Sequence, residues 1–211
     1  MAHSDTVTRI LDAAEVLFAE HGFSETSLRS ITTKAGVNLA AVNYHFGSKK
    51  ALIQAVFSRY LSPFYKMIAS SLDHYEKVKP DGLLSIEEIL GYFARAIAGV
   101  SGGDRRRLAI FMRLLGLAYN QGQGHLRKYL QNEFKADYER LMILFNKATP
   151  ELMPQERFWR FHFMLGSAAF TLSNMEHLRA IQQDEFEVQC TEEDVLELLQ
   201  PFLAAGIRAK K

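Results

Sequence analysis

Apolar residues recur along this chain at intervals of three and four, the spacing of helices with one buried stripe. Val7, Ile10, Leu11, Ala14, Leu17 and Phe18 define the first stripe, which predicts a helix over residues 6–20 with Gly22 as its stop. Thr26 is placed to cap a short second helix carrying Leu28 and Ile31, and Gly36 ends it. Asn38 caps a third helix, from Leu39 to about Tyr44. Ser48 caps a fourth that opens on Lys49-Lys50 and continues through Leu52, Val56, Tyr60 and Phe64, with a bend at Pro63. Ser85 and Glu88 form a capping box ahead of Ile86, Ile89, Leu90, Phe93 and Ile97. Asp104 opens a helix to about Tyr119, and Gly122 and Gly124 separate it from one over 125–147. Pro154 suits the first turn of a long helix to about Ala180, and Thr191 caps the last, which carries Val195, Leu198, Leu199, Phe202 and Leu203. No run alternates as a strand does. The expectation is an all-α chain of about nine helices, short and tightly packed over residues 1–50 and longer over 51–211, which divides it into two domains at that point.

Composition changes this picture little; the distribution of charge changes it more. With 211 residues, 48% hydrophobic and 23% charged, the chain can bury a sizeable core. Its formal net charge of +1 gives no hint of a polyanionic partner. Yet no Asp or Glu occurs between Glu25 and Asp73, a stretch that carries Arg29, Lys34, Lys49, Lys50, Arg59 and Lys66. Acid gathers elsewhere, as in Glu192, Glu193 and Asp194. A locally basic module on a neutral protein suits contact with phosphate. Cys190 is the only cysteine, so no intramolecular disulfide can form, which fits a reducing compartment. Residues 1–8 lack the basic-then-apolar order of a signal peptide, and the apolar stretch 163–172 is short and broken by Gly166 and Ser167. A soluble cytoplasmic protein, not a membrane partner, is expected.

The chemistry concentrates between Thr26 and Lys50. Two short helices meet at Ala35-Gly36-Val37, where glycine permits a sharp turn. In the second, Val42 and Phe46 lie four residues apart and can join Ile31 in a small core. The opposite face offers Asn38, Ala40, Asn43 and Tyr44, side chains small enough for a major groove or able to bond base edges by their amides. Donors suited to phosphate surround them: Thr26, Ser27, Tyr44, His45, Lys49 and Lys50. The start of the fourth helix adds free backbone amides.

These residues carry a family resemblance. Gly22-Phe23, Thr26, Ile31, Ala35-Gly36-Val37, Asn43-Tyr44-His45-Phe46, Ser48-Lys49 and Ala51-Leu52 resemble the DNA-binding domain of the TetR family, without a gap over about fifty residues. The resemblance implies a helical homodimer that places one helix-turn-helix per subunit on a palindromic double-stranded operator, with a C-terminal domain for dimerisation and a small effector. It implies phosphate contacts by Tyr44, His45 and Lys49 and base contacts by Asn38, Leu39, Ala40, Ala41 and Asn43. Asn43 stands where relatives commonly carry an aromatic residue.

Beyond residue 50 two stripes suit partner helices: Phe158, Phe161, His162, Leu165, Ala168, Ala169 and Leu172, and Val195, Leu198, Leu199, Phe202, Leu203 and Gly206. Paired with their symmetry mates they would form the four-helix dimer face that the resemblance implies; alternatively both are intramolecular core. Phe93, Ile97, Ile110, Phe111, Leu114, Leu144, Trp159 and Phe163 are candidates to line an effector pocket suited to an elongated lipophile, although a solid core has the same composition. Arg113 is a candidate carboxylate anchor or a snorkelling surface residue, and Arg160, four residues after Glu156, suits an ion pair. Over 37–57, 111–118, 122–130, 158–170 and 201–206 the chain is also similar to fatty-acid-responsive repressors of that family in pseudomonads. That similarity implies a long-chain fatty acid or acyl-CoA as effector.

Enzyme signatures are missing. The seven histidines show no metal-binding spacing, and Gly166-Ser167-Ala168 lacks the second glycine of a nucleophile elbow. No catalytic residue, metal or cofactor is expected. A lipid carrier is the rival reading, but it has no use for an acid-free basic helix-turn-helix.

Overall fold

A computed structural model of the chain describes residues 2–78, 82–121 and 123–210, with side chains from Asp5 onward. All regular elements among the described residues are helices: α1 (Ala2–Glu25), α2 (Leu28–Ala35), α3 (Leu39–Phe46), α4 (Lys49–Val78), α5 (Ile86–Ser101), α6 (Arg105–Asn120), α7 (Gly124–Glu133), α8 (Lys135–Ala148), α9 (Pro154–Ser173), α10 (Met175–Phe186) and α11 (Glu192–Arg208). The number is eleven, not nine, because two expected helices are each divided. The 125–147 segment breaks at Phe134, whose φ of −112° and ψ of 22° leave the helical well. The 154–180 segment breaks at Asn174. There the amide donates to Phe170 O and to Ser173 Oγ, each at 2.9 Å, so the side chain offers local bonds that compete with the helical ladder. Gly122 lies outside the described residues.

The chain forms two compact units, residues 1–62 with 110–135, and 63–109 with 136–211. In the first, helical spacing turns Ile10, Ala14 and Phe18 of α1 inward, and Phe23, Ile31, Val42, Leu52, Val56 and Phe57 are likewise nearly inaccessible. Phe18 and Phe23 meet at 5.4 Å between ring centres, and Phe23 and Phe57 at 6.1 Å. Tyr60 stacks on Phe111 of α6 at 4.7 Å. Each such buried aromatic contributes about 1.5–3 kcal/mol by leaving water. Arg59 of α4 ties down α1 through Asp12 at 2.5 Å and the buried Glu15 at 3.3 Å.

The second unit closes around Ile68, Leu72, Tyr75, Ile86, Ile89, Leu90, Leu141, Phe145, Met164, Leu203 and Ile207. The α5 capping box forms, with Glu88 N donating to Ser85 Oγ and Ser85 N to Glu88 Oε2. Thr191 and Asp194 form another at α11. Arg160 meets Glu156 at 2.6 Å and also donates to Ile207 O at 2.5 Å, which fastens α9 to α11.

Candidate nucleic-acid interface

The interface begins with how α2 and α3 are capped. α2 starts one residue later than expected: Ser27, not Thr26, is its cap, in a box with Ser30. Thr26 instead lies 1% exposed, its hydroxyl donating to Gly22 O at 2.7 Å, with Leu17 O at 3.0 Å. Gly36 ends α2 at φ 63°, a left-handed conformation that glycine adopts without strain. Asn38 then caps α3, its Oδ1 accepting from Ala41 N at 2.8 Å, and the residue is exposed. Val42 is completely buried, and α3 thereby shows Asn38, Leu39, Ala40, Asn43 and Tyr44 to solvent. Tyr44 is 78% exposed, too much surface for a packing role. Ala41 and His45 are half-buried; the His45 ring stands edge-on to Tyr44 at 5.1 Å.

Of the cations, Lys50 is exposed, whereas Lys49 is half-buried and donates to Ser24 O at 3.2 Å. That bond holds the Lys49 ammonium beside the entrance to α2. His125 of α7 lies within the field of Lys50; burial first, and then that charge, keep its imidazole below its ordinary pKa. Apart from the buried Thr26, the expected contact residues are therefore gathered around one helix-turn-helix: Ser27 at the start of α2, Asn38 to His45 along α3, and Lys49 and Lys50 at the start of α4.

Two side chains that bond the backbone around this motif gave no sequence signal. Arg9 of α1 reaches across to the α2–α3 turn, donating to Ala35 O at 2.6 Å and Gly36 O at 2.8 Å. A Cβ on Gly36 would come within 2.7 Å of its Nη2, so glycine also makes room for the guanidinium. Gln121 accepts from Phe23 N at 2.9 Å. Both partners are remote in sequence, by 26 and 98 residues, and neither residue lies in a local motif.

The effector candidates do not fall together in either unit. Ile110, Phe111, Arg113 and Leu114 belong to the first, where Phe111 and Leu114 are buried and Arg113 is exposed. Phe93, Ile97, Leu144, Trp159 and Phe163 belong to the second. Phe93 and Leu144 pack on its core, Ile97 is half-buried, and Trp159 stacks with Phe163 at 6.0 Å on an exposed face of α9. The dimer candidates divide by burial. Ala169 and Leu172 are buried, and Phe161, Leu165, Ala168, Val195 and Leu199 half-buried, while Phe158, Leu198 and Phe202 are largely exposed.

A helix-turn-helix with an uncharged, small-residue outer face and flanking cations defines a DNA-binding regulator. Family models place it further. The model for bacterial regulatory proteins of the tetR family matches residues 10–56, and that for the tetracyclin repressor-like C-terminal domain matches residues 92–206. The chain belongs to the TetR family of DNA-binding transcription regulators. It is 43% identical over 51 residues to the regulator UidR of Escherichia coli strain K12, covering 24% of this chain and 26% of that one. It is 33% identical over 70 residues to the repressor KstR2 of Rhodococcus jostii, covering 31% and 34%. The matched part thus spans about a third or less of those relatives. Among solved structures, the fatty acid degradation regulator FadR of Bacillus halodurans superposes with a TM-score of 0.61 at 18% identity, covering 98% and 96% of the two chains. A TetR-like regulator from Rhodococcus sp. RHA1 gives 0.60 at 20% identity, covering 97% of each. At those identities the likeness is one of fold. Among the described residues no helix is long and apolar enough to cross a membrane.

Proposed function

We propose that this protein is a homodimeric repressor that binds a palindromic operator through α2 and α3 and releases it when a lipophilic effector, a long-chain fatty acid or its CoA thioester, occupies residues 51–211. The observation that carries the DNA half is the outer face of α3. It is exposed, uncharged and small, next to cations in a stretch without acid. Asn38, Leu39, Ala40, Ala41 and Asn43 read bases in this scheme. Ser27, Tyr44, His45, Lys49 and Lys50 hold phosphate, and Thr26 braces them from beneath.

Dimerisation through α9 and α11 is supported by the apolar surface that Phe158, Leu198 and Phe202 leave in water on a single chain. The effector class rests on the sequence similarity to PsrA, the fatty-acid-responsive repressor of pseudomonads. Repression and release are one equilibrium: if the effector weakens operator binding, the operator weakens effector binding by the same factor. A coupling of about 1–3 kcal/mol changes operator affinity about 5- to 150-fold.

The test is fluorescence anisotropy of the purified protein on DNA upstream of its own gene, with palmitate or palmitoyl-CoA added. Binding that falls steeply with salt and is reversed by the lipid is expected. Salt-sensitive binding indifferent to both lipids removes the fatty-acid effector and keeps the regulator. Lipid binding that survives deletion of residues 1–48, in a chain that never binds DNA, favours a carrier.

A further inference from the structure

The last turn of α1, beyond a kink at Gly22 that leads into α2, is built around an atom that neither helix supplies. At Gly22 the backbone takes φ 80° and ψ 170°, a region open in practice to glycine alone. This turns the next N–H, that of Phe23, out of the helical direction. Phe23 is 1% exposed, so a donor there cannot rely on water. Gln121, immediately after α6, provides the acceptor: its Oε1 takes the Phe23 N–H at 2.9 Å. Its Nε2 occupies the space that a Cβ on Gly22 would need, and any side chain at that position would collide with it. Two independent demands therefore fall on Gly22, one from its own backbone and one from the carboxamide beside it.

The segment so held leads directly into α2. Lys49 fixes Ser24 O, Thr26 fixes Gly22 O, and Ser27 begins the helix. α3 then follows across the Gly36 turn that Arg9 closes. The bonds from Lys49, Thr26 and Arg9 all arise within the first fifty residues. Gln121 comes from beyond them, on the segment between α6 and α7.

We infer that Gln121 is a positioning residue for DNA binding, whose carboxamide sets the kinked end of α1 in the geometry that presents α2 and α3 to the operator. This rests on the reading of α2 and α3 as the DNA interface. Gln121 touches no DNA in this scheme; it acts through the Phe23 backbone.

The experiment uses a duplex selected from random sequence by the full-length wild-type protein. On it are measured operator affinity across a salt series and amide exchange at Phe23, for wild type, Gln121→Leu and Gln121→Glu. Leucine keeps the bulk and removes the acceptor; glutamate keeps an oxygen at the same reach. The expected result is faster Phe23 exchange and operator binding weakened about tenfold in Gln121→Leu, the scale of one buried donor left unpaired. The slope of log affinity against log salt should be unchanged, because no phosphate contact is lost. Gln121→Glu should restore both exchange and affinity to within about threefold of wild type. Faster exchange in a folded Gln121→Leu that binds the duplex as tightly as wild type would overturn the inference and leave the bond purely structural. If Gln121→Leu does not fold, Gln121→Asn, one methylene short of Phe23 N, takes its place with the same two outcomes. A wild-type protein that selects no duplex at low salt would overturn the DNA reading, and this inference with it.

Discussion

Arg9 is exposed along much of its length, yet its guanidinium holds the turn on which α3 depends. Two carbonyls at the end of α2 converge on one Nη2, at 2.6 and 2.8 Å. A lysine can place a single flexible ammonium near one of them, but lacks the rigid planar head that fills the space left by Gly36. Arg9→Lys should therefore lower operator affinity about 5- to 10-fold at constant salt slope, with only a modest loss of stability. Anisotropy titrations alongside thermal unfolding would check this; equal operator affinity in the variant removes Arg9 from the positioning scheme. His125 supports a prediction of another kind. A base held below its ordinary value favours its neutral form in the folded chain, so unfolding takes up a proton between the folded value and about 6.5. Its contribution is full above about 6.5 and is lost as the pH falls through the folded value. Urea midpoints should drop between about pH 7.5 and about pH 5 more in wild type than in His125→Gln. Parallel pH profiles in the two proteins would contradict that assignment.

At the scale of elements, the proposed interface assigns α3 and the start of α4 two kinds of contact that respond differently to mutation. Asn43 is exposed in the middle of the helix, where the proposed scheme has its amide reading base edges, whereas Lys50 is exposed at the start of α4, where the scheme has its charge on phosphate. Asn43→Ala should alter which base is preferred at one operator position and cost about 1–3 kcal/mol on the wild-type site. Lys50→Ala should weaken all sequences alike and reduce the salt slope by about 1. A binding selection with each variant decides the matter; a specificity change in Lys50→Ala, or none in Asn43→Ala, exchanges their roles. The legibility of the fold follows the same division between local and remote. Caps at Asn38, Ser85 and Thr191 could be read from the chain because a cap and its target are three residues apart. The cap falls on Ser27 rather than the expected Thr26 because Thr26 is drawn into the core by two carbonyls of α1, which α2 alone does not reveal. The breaks at Phe134 and Asn174 are not legible in the sequence, since neither position is a glycine or proline and helical spacing continues through both. Arg9 and Gln121 read as ordinary polar positions, because only the folded chain brings their partners near.

At the scale of the molecule, a palindromic site must be met by two copies of the helix-turn-helix, so operator binding and dimerisation stand or fall together in this scheme. The choice of residue for testing this depends on burial. Leu199 packs against the core of its own unit, and a charge there would damage the fold before any interface. Leu198, one position before it, is 72% exposed and has little to lose within the chain. If α11 pairs with its symmetry mate, Leu198→Arg puts two like charges near one another in a surface that should be dry, without disturbing the Ile207 and Leu203 side of the helix. The variant should sediment as a monomer with unchanged helical content and unfold near the wild-type denaturant midpoint once the dimer's own contribution is allowed for. Its affinity for a full palindrome should fall toward that of the wild type for an isolated half-site, because the second module no longer arrives at high effective concentration. A Leu198→Arg protein that stays dimeric moves the interface away from this face of α11. A monomer that still binds the palindrome tightly removes the two-fold mode of recognition itself.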